Sequence, residues 1–261
     1  MLIQVLSDLH LETEAFTAAP APGAEVLVLA GDIDNRWDGL DQFANWPVPV
    51  VFVAGNHEFD RREWSEAWLA LRQRCQQLGI HMLEKESLVL TGAHGERVRF
   101  LGTTRWTDFD LEGPARREKA LKAAHYFVRV MKTTVGGELM NAHFVREEAL
   151  SCRQWLEQQL LEPILFPDRK AWDRTVVITH FGPSRRSADP RYGLQPGTSS
   201  FLNDDESLIP MADAWIHGHV HCRHGYEVTH ARGRTWVIAN PRGHGHKGEP
   251  EGYDPLRCVS V

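Results

Sequence analysis

The sequence predicts an α/β fold in which two β-sheets pack together and helices cover the outside. Two observations lead to this prediction. Short apolar runs and a helical pattern open the chain, and closely spaced strand patterns return in its second half. The composition fits such a fold, because 261 residues with 42% hydrophobic and 25% charged side chains are typical of a soluble globular protein. That length accommodates one large domain or two small ones.

Three apolar runs near the start predict the first β-strands: Leu2–Leu6, Val26–Ala30 and Val50–Ala54. Near-continuous runs of valine, leucine and isoleucine indicate strands that are buried on both faces, as in parallel sheets flanked by helices. Polar residues and glycine follow each run at once. Because ligands bind at the carboxyl ends of strands in open α/β sheets, we expect the functional residues to lie just beyond these strands.

Two segments carry a helical pattern. Residues 61–78 place apolar side chains at helical spacing and end at Gly79, which predicts a helix with a glycine stop. The pattern turns helical again from about Gly113 to Leu161, with a break near Gly136–Gly137. This segment is rich in charge, and it could form a cap beside the site.

Strand patterns occupy much of the remaining chain. Ser87–Leu90 and Val98–Leu101 predict a strand pair around the turn 92–95. The segment Pro183–Asn203 is rich in proline, glycine, serine and arginine and indicates a long loop, and long loops inside compact domains are often functional. The later strands are predicted at Thr175–Thr179, Ala214–His217, Thr235–Ala239 and Arg257–Val261.

The formal net charge of the chain is −6 at pH 7. A protein that binds duplex nucleic acid is expected to present a basic face, so no duplex partner is predicted. The charge remains compatible with a small phosphorylated substrate, because bound metal ions would supply the local positive field.

The four cysteines, at positions 75, 152, 222 and 258, lie far apart and form no CxxC pattern. Free thiols in a reducing compartment are the favoured interpretation. The chain contains no stretch of about 18 apolar residues and no leader pattern at its start, so no membrane partner is expected and a cytoplasmic location is predicted. No oligomeric state is predicted.

Five short polar elements follow strand-like runs, and as candidate donors they offer two aspartate carboxylates, one amide oxygen and five imidazoles. Mixed nitrogen and oxygen donors of this kind suit manganese, iron, zinc, cobalt or nickel better than calcium. The set contains no thiolate, which argues against a structural zinc cluster. The elements are Asp8-Leu9-His10, Gly31-Asp32, Gly55-Asn56-His57-Glu58, Thr179-His180 and Gly218-His219-Val220-His221.

Each element alone is a weak signal. A Gly-Asp pair is usually a turn, and a single histidine is more often a half-buried packing residue than a ligand. The GHxH motif is a stronger signal, because two imidazoles at positions i and i+2 share one face of an extended segment. The GNHE motif is also stronger, because Gly-Asn permits a sharp turn at the end of a strand. The joint pattern is decisive, because five accidental turns would not all carry metal-competent side chains at strand ends.

The motifs DxH, GD, GNHE, H and GHxH resemble the signature of the calcineurin-like metallophosphoesterase superfamily, and they span Asp8 to His221. The segment Asn240–Gly243, which reads NPRG, is similar to its small bacterial branch. The resemblance implies a four-layer αββα sandwich of two mixed sheets. It also implies one domain over residues 1–261, with a helical cap-like insertion around residues 105–150, and a metal-dependent phosphoester hydrolase activity.

The same resemblance implies two metal ions, with manganese, iron or zinc favoured, that hold a bridging hydroxide. Asp32 would bridge the ions. His57 would contact the substrate and protonate the leaving oxygen. The ligands implied for the first ion are Asp8, His10, Asp32 and His221, and those implied for the second are Asp32, Asn56, His180 and His219.

The chain departs from the protein phosphatase branch at Asn35, where that branch has an aspartate that orients the catalytic histidine. Any orienting contact to His57 is therefore neutral or comes from elsewhere. Arg36, Arg185 and Arg242 are candidates for substrate binding, since arginine gives bidentate contacts to phosphate oxygens. The alternatives are a solvated surface arginine for the first two and a turn anchor for Arg242.

Three further residues near the motifs have more than one interpretation. His244 and His246 lie in a glycine-rich tail and could bind metal, but a surface loop is the favoured interpretation. Glu58 is expected to cap the following helix or to support a metal-bound histidine.

Several functions remain open from the sequence. The favoured one is a phosphodiesterase acting on a small molecule, including cyclic nucleotides, over a phosphomonoesterase. The alternatives are a phosphoprotein or general phosphatase, a nuclease, and an inactive scaffold of the same fold. The scaffold is disfavoured, because such relatives lose ligands or the GNH histidine and this chain retains all of them.

Overall fold

The computed structural model describes residues 1–261, apart from the side chain of Arg169. The helices are α1 (Trp64–Gln77), α2 (Arg117–Met131) and α3 (Ala142–Leu165). The strands are β1 (Leu2–Leu6), β2 (Val26–Leu29), β3 (Val50–Phe52), β4 (His81–Met82), β5 (Glu86–Thr91), β6 (Arg97–Gly102), β7 (Thr134–Val135), β8 (Glu138–Leu139), β9 (Arg174–Ile178), β10 (Ala214–His217), β11 (His224–His230), β12 (Gly233–Ala239) and β13 (Cys258–Ser260).

The strands form two large mixed sheets. The first has the order β13-β1-β2-β3-β4, in which β1 to β4 are parallel and β13 is antiparallel. The second has the order β11-β12-β10-β9-β6-β5, in which the two edge strands run antiparallel to their neighbours. The fold class predicted from the sequence is confirmed.

The two sheets pack through alternating side chains, because neighbouring residues of a strand point to opposite faces. In β2, Val26 and Val28 belong to the core between the sheets, whereas Leu27 and Leu29 belong to the core beneath the helices. In β10, Trp215 faces outward to a third cluster. The layers are therefore helix, sheet, sheet and helix.

The helices cover the outer faces of the sheets. α1 buries Ala67, Leu71 and Cys75 at a spacing of four residues against the first sheet. α3 packs its first half into that cluster and its second half, through Leu156 and Leu160, against the second sheet. Within the described part of the chain, every helix is too short or too polar to span a bilayer.

The break expected near Gly136–Gly137 is the turn between β7 and β8. Both glycines adopt positive φ angles, +62° and +85°, which other residues rarely adopt. The Glu63 carboxylate, just before α1, accepts hydrogen bonds from the amides of Gly136 and Gly137 and from the Thr134 hydroxyl. The β7–β8 hairpin lies between α2 and α3 in the chain, and these hydrogen bonds attach it to the start of α1.

A buried ion cluster fixes the segment that follows β6. The Arg105 side chain is fully buried and contacts Asp205 at 2.9 Å and Asp108 at 3.0 Å. The same guanidinium donates to the carbonyls of Trp106 and Ala149, the latter in α3. The cluster therefore joins the end of a central strand to the second sheet's outer helix.

Candidate metal centre and active site

The predicted ligands all lie just beyond the carboxyl ends of strands from both sheets. Asp8 and His10 follow β1, Asp32 follows β2 and Asn56 follows β3, while His180 follows β9 and the GHxH pair follows β10. The two sheets are bonded together at this edge. The amide of His219 donates to the Asp8 carboxylate at 2.9 Å, and the His180 Nδ1 donates to the carbonyl of Ala30 at 2.8 Å.

Five of the seven predicted ligands have a left-handed backbone. Side chains other than glycine rarely adopt this conformation, which costs free energy and concentrates at functional sites. It turns each side chain back toward the end of its strand. The φ angles are +49° for Asp8, +46° for His10, +54° for Asp32, +68° for His219 and +52° for His221.

Two glycines allow the motifs to approach one another closely. A Cβ at Gly55 would lie 2.2 Å from Oδ1 of Asp32, and a Cβ at Gly31 would lie 2.3 Å from Nδ1 of His180. These distances are far below van der Waals contact. The glycines of the GD and GNHE motifs are therefore required by the packing of the donor residues.

The first donor group joins His10, His221 and Asp8. The two Nε2 atoms are 3.1 Å apart, and the Nε2 of His221 is 3.5 Å from the nearer oxygen of Asp8. The Nδ1 of His10 donates to Glu12 at 3.0 Å, and that of His221 donates to Glu249 at 2.7 Å. A carboxylate therefore holds each ring and leaves the Nε2 lone pairs facing each other, as at metal-bound histidines.

The second donor group joins Asp32, His180 and His219. The Nε2 of His180 lies 3.1 Å from Oδ2 of Asp32 and 3.2 Å from Nδ1 of His219. Oδ1 of Asn56 is buried without a hydrogen-bond partner among the described residues. Buried polar atoms without a partner are rare, so this oxygen is available to a ligand.

These donor atoms fit metal ions. Atoms about 2.1 Å from a shared ion lie about 3.0–3.4 Å from one another in octahedral or tetrahedral geometry, and the separations above fall within or close to this range. In the metal-free chain two nitrogens at such distances share a proton, and a metal ion between them would replace it. The sets whose donor atoms all lie within 4.8 Å of one another are Asp8, His10 and Asp32; Asp32, His180 and His219; and His10, His221 and His244.

The electrostatics favour cations as well. Burial raises the pKa of Asp8, but the neighbouring His221 and His180 lower it overall to about 2. Burial lowers the pKa of His180, but the Asp32 carboxylate raises it overall to about 9. Both carboxylates are therefore ionised at neutral pH and bring negative charge to a buried site.

His57 lies beside this centre with its side chain 27% exposed. Its amide donates to Oδ1 of Asp32 at 2.8 Å, and its Nδ1 donates to Asp60 at 2.8 Å. The orienting carboxylate is therefore Asp60, three residues further along the chain. Burial lowers the pKa of His57, but the carboxylates of Asp32, Asp60 and Glu12 raise it overall to about 10.

Glu58 holds the turns that carry the donor residues. Its carboxylate is fully buried and accepts hydrogen bonds from the amides of Asp32, Ile33 and Gly55 at 3.0, 2.7 and 2.6 Å. It thus joins the turn after β2 to the turn after β3. This contact differs from the helix cap or the support for a metal-bound histidine that the sequence predicted for Glu58.

A cavity of about 520 Å³ opens over the centre. Its floor includes Asp32, Asn56, His57 and His219. Residues of α2 and of the loop 188–202, which belongs to the predicted long loop, form its wall. The site therefore has room for a substrate much larger than inorganic phosphate.

The three candidate arginines do not line this cavity. Arg36 is exposed and donates to the carbonyl of Glu12 at 2.8 Å, while the Nε of Arg185 donates to the carbonyl of Leu111 at 2.9 Å. Arg242 is buried, and its guanidinium contacts Glu14 at 2.9 Å, which matches the turn anchor considered above.

The cavity instead presents Arg191, Lys247 and His244. Arg191 is paired with Asp189 at 2.7 Å. His244, for which a surface loop was the favoured interpretation, lies against His10 with ring centroids 4.1 Å apart. The GHGH sequence was the only available signal, and it does not distinguish His244 from the exposed His246.

This fold and this site define a metal-dependent phosphoester hydrolase. The chain belongs to the calcineurin-like phosphoesterase family, whose family model matches residues 1–223. Members of such a family act on phosphorylated substrates. A search of curated proteins gave no match.

Solved structures that resemble the chain include two hydrolases. A phosphopantetheinyl hydrolase from Mycobacterium tuberculosis has a TM-score of 0.71 at 18% identity, over 98% of this chain and 95% of that chain, which supports the fold. A dimetal phosphatase from Danio rerio has a TM-score of 0.49 at 15% identity, over 91% of this chain and 86% of that one.

Proposed function

We propose that the protein hydrolyses a small phosphodiester at a centre of two metal ions, with Asp8, His10, Asp32 and His221 holding one ion. The second ion is held by Asp32, Asn56, His180 and His219, and manganese, iron or zinc suits this donor set. The proposal also treats residues 1–261 as one cytoplasmic domain, with the 105–150 segment as a cap. The supporting observation is that donor atoms from both sheets converge at ligand-to-ligand distances beneath an open cavity.

Two metal ions bound at these residues would supply a hydroxide nucleophile, through a lowered pKa of bound water, and positive charge against the phosphate oxygens. Asp32 lies within reach of both donor groups, beside Asp8 and His10 in one and His180 and His219 in the other, and would be shared by the two ions. Asn56 adds an oxygen without a negative charge, which keeps the floor of the cavity attractive to a phosphate anion.

His57 completes the mechanism as the general acid. Asp60 accepts the Nδ1 proton, so Nε2 is the nitrogen that can give a proton to the departing alkoxide. In the metal-free chain the carboxylates of Asp32, Asp60 and Glu12 raise the pKa of His57 to about 10. With ions on Asp32, the hydrogen bond to Asp60 is the contact that favours the protonated imidazole. A group that must donate a proton is thereby held in its charged form.

The test compares hydrolysis of bis(p-nitrophenyl) phosphate and p-nitrophenyl phosphate with added Mn²⁺, together with metal analysis. We expect faster turnover of the diester, and a loss of more than about 100-fold in Asp32→Asn, because changes outside the ligand set alone cost about 10- to 100-fold. The Asp32→Asn variant should melt like the wild type in excess chelator, which separates loss of the site from loss of the fold.

Other outcomes distinguish the alternatives. Faster turnover of the monoester would favour a phosphatase, and salt-sensitive cleavage of single-stranded oligonucleotides would favour a nuclease. A protein that binds no metal and is unaffected by His57→Ala would be a scaffold. A phosphopantetheinyl diester belongs in the substrate panel, since the similar solved structure carries that name.

A further inference from the structure

The loop of residues 240–249 is docked on the end of β1. The amide of Arg242 donates to the carbonyl of Ser7 at 3.0 Å, and the amide of Gly243 donates to the carbonyl of Asp8 at 2.9 Å. Two backbone hydrogen bonds thus continue the strand's pairing at the residue where the first donor motif begins. The loop is held against the metal centre.

His244 extends from this loop into the first donor group. Its ring centroid is 4.1 Å from that of His10 and 5.0 Å from that of His221. One donor atom from each of the three residues lies within 4.8 Å of the other two. The Nδ1 of His244 is buried and has no hydrogen-bond partner among the described residues. Buried polar atoms without a partner are rare, so this nitrogen is available to a ligand.

Glu249 fixes His244 relative to His221. One oxygen of its carboxylate accepts a hydrogen bond from the amide of His244 and another from the Nδ1 of His221, each at 2.7 Å. A carboxylate that orients a metal-bound imidazole is a common supporting contact. Here the same oxygen also sets the position of the next imidazole.

We propose that His244 is a further ligand of the ion held by His10 and His221. It adds a third imidazole to that ion, beyond the seven ligands implied by the family resemblance. The inference rests on the proposed metal centre. A third nitrogen donor shifts this ion's preference toward zinc, iron or manganese and away from magnesium.

The test is a calorimetric titration of the metal-free full chain with MnCl₂. We expect His244→Ala to weaken one of two Mn²⁺ sites about 10- to 100-fold and to leave the other within about threefold. His246→Ala is the matched control, because it removes an exposed imidazole from the same loop and should titrate like the wild type. His244→Gln, which retains an oxygen donor, should recover part of the affinity.

Wild-type affinities at both sites in His244→Ala would overturn the proposal. Melting in excess chelator checks the fold of each variant, and His244→Gln provides a second reading of the same position. If the wild type binds two ions but hydrolyses no ester, the proposed function fails while the assignment of His244 stands.

A separate observation concerns the cavity wall, where large apolar side chains are exposed. Tyr126 is 80% exposed, Tyr192 66%, Val130 47% and Phe201 43%. Soluble proteins rarely expose such a group of side chains together, and a patch of this kind beside a pocket marks a binding surface. Tyr126 and Val130 are four residues apart and lie on one face of α2.

The wall is continuous with the metal centre. The ring of Phe201 lies 5.0 Å from that of His219, and the ring of Phe127 lies 6.2 Å from it, both measured between centroids. A molecule whose phosphoryl group sits over Asp32 and Asn56 would therefore place its next substituent against these rings.

The geometry also points to the occupant of this wall: an aromatic or branched apolar group attached to the substrate's phosphoryl group. This inference rests on the proposed function and specifies its substrate class. Burial of such a group against α2 and the 188–202 loop contributes affinity by the hydrophobic effect. Small hydrophilic phosphoesters would gain nothing from the wall.

The test compares binding of phenylphosphonate and methylphosphonate to the Mn²⁺-loaded protein by calorimetry. We expect phenylphosphonate to bind about tenfold more tightly to the wild type. The double variant Tyr126→Ser/Val130→Ser should reduce this preference to about twofold. Leu69→Ser is the matched control, because Leu69 is 62% exposed on α1 and lies outside the cavity lining.

Equal affinity for the two phosphonates in the wild type, or an unchanged preference in the double variant, would overturn the assignment of the wall. A preference for phenylphosphonate without turnover of any ester would instead overturn the proposed function and leave the wall as a binding site.

Discussion

Asp60 supports the imidazole of His57 from only three residues away, with an oxygen-to-nitrogen distance of 2.8 Å. The protein phosphatase branch places the corresponding carboxylate after its GD motif, where this chain has Asn35. The sequence shows that Asn35 cannot supply this carboxylate, but it does not show that Asp60 supplies it instead. Asp60 is brought to the imidazole by the short helical turn His57–Phe59, which the sequence does not predict.

At the residue scale, we expect Asp60→Asn to lower kcat about 10- to 100-fold, part of the 10²–10⁴ supplied by a general acid. The carboxylate raises the pKa of His57, so its loss lowers that pKa and removes the required proton at a lower pH. The alkaline limb of the kcat profile should therefore move to lower pH. Substrates with poor leaving groups should show the larger effect.

The exposed Asp41 gives a control, since Asp41→Asn should leave the rate and the profile unchanged. A profile in Asp60→Asn that coincides with that of the wild type would contradict the assignment of His57 as the general acid.

A second residue-scale prediction concerns His224, which lies outside the donor groups. Burial, with Arg257 nearby, lowers the pKa of His224 to about 4. The imidazole of His224 takes up a proton near pH 6.5 in the unfolded chain, whereas in the folded chain it does so only near pH 4. His224 should therefore contribute a fall in the free energy of unfolding of up to about 1.4 kcal/mol per pH unit as the pH drops from 7 to 5, and this contribution is the difference in slope between the wild type and a His224 variant.

Urea denaturation in excess chelator measures this slope without a contribution from metal binding. We expect His224→Gln to have a smaller slope than the wild type over the same range, since glutamine does not titrate. An identical slope in the variant would show that His224 is not the group responsible.

At the scale of single elements, apolar runs predicted the central strands well. β1, β2, β3, β9 and β10 match their predictions within about two residues because both faces of each strand are buried. β11 was not predicted, since it is an edge strand of mostly half-buried residues with no continuous apolar run. β4 has only two residues and carries no pattern of its own.

The ion cluster of Arg105 is an element-scale feature that no local pattern indicates. Its partner Asp205 is 100 residues away in the chain. Replacement of Arg105 leaves the buried Asp108 without its cation and leaves Asp205 with only the half-buried Arg153, at 3.0 Å. Breaking a buried pair typically costs about 3–5 kcal/mol. We expect Arg105→Met to destabilise the protein by about this amount in urea denaturation.

Arg174→Met is the matched control. Arg174 also pairs with an aspartate, Asp213 at 3.0 Å, but its side chain is 58% exposed. An exposed pair is worth less than about 1 kcal/mol. A similar small loss for Arg105→Met would mean that the buried cluster does not hold α3 to the second sheet.

At the scale of the whole molecule, the metal centre lies where the two sheets meet. The donors after β1, β2 and β3 come from one sheet, and those after β9 and β10 come from the other. Ions bound by the folded chain alone stabilise it by mass action. They would also join the two sheets directly.

We therefore expect Mn²⁺ at about 100 times its dissociation constant to raise the free energy of unfolding by about 2.7 kcal/mol for each ion bound. For a protein of this size, that corresponds to an increase in the melting temperature of roughly 5–10 °C relative to excess chelator. Asp32→Asn should lose most of this increase. A melting temperature independent of Mn²⁺ would contradict a folded-state metal centre.

The sequence predicted the layers and the donor residues because both depend on short motifs at the ends of apolar strands. It did not predict the contacts made by His244 and Glu58, which require the three-dimensional approach of separate loops. It also did not show the apolar cavity wall, since Tyr126 and Val130 lie on a charged helix whose buried face is elsewhere. The features that would select a substrate are therefore the part of this site that the sequence predicts least well.

The position of the donors along the chain has a consequence for biosynthesis. Asp8 leaves the ribosome 213 residues before His221, which faces it. A nascent chain that ends before the GHxH motif lacks one imidazole of each donor group. Loading of the proposed ions by the complete ligand set would therefore follow translation of that motif.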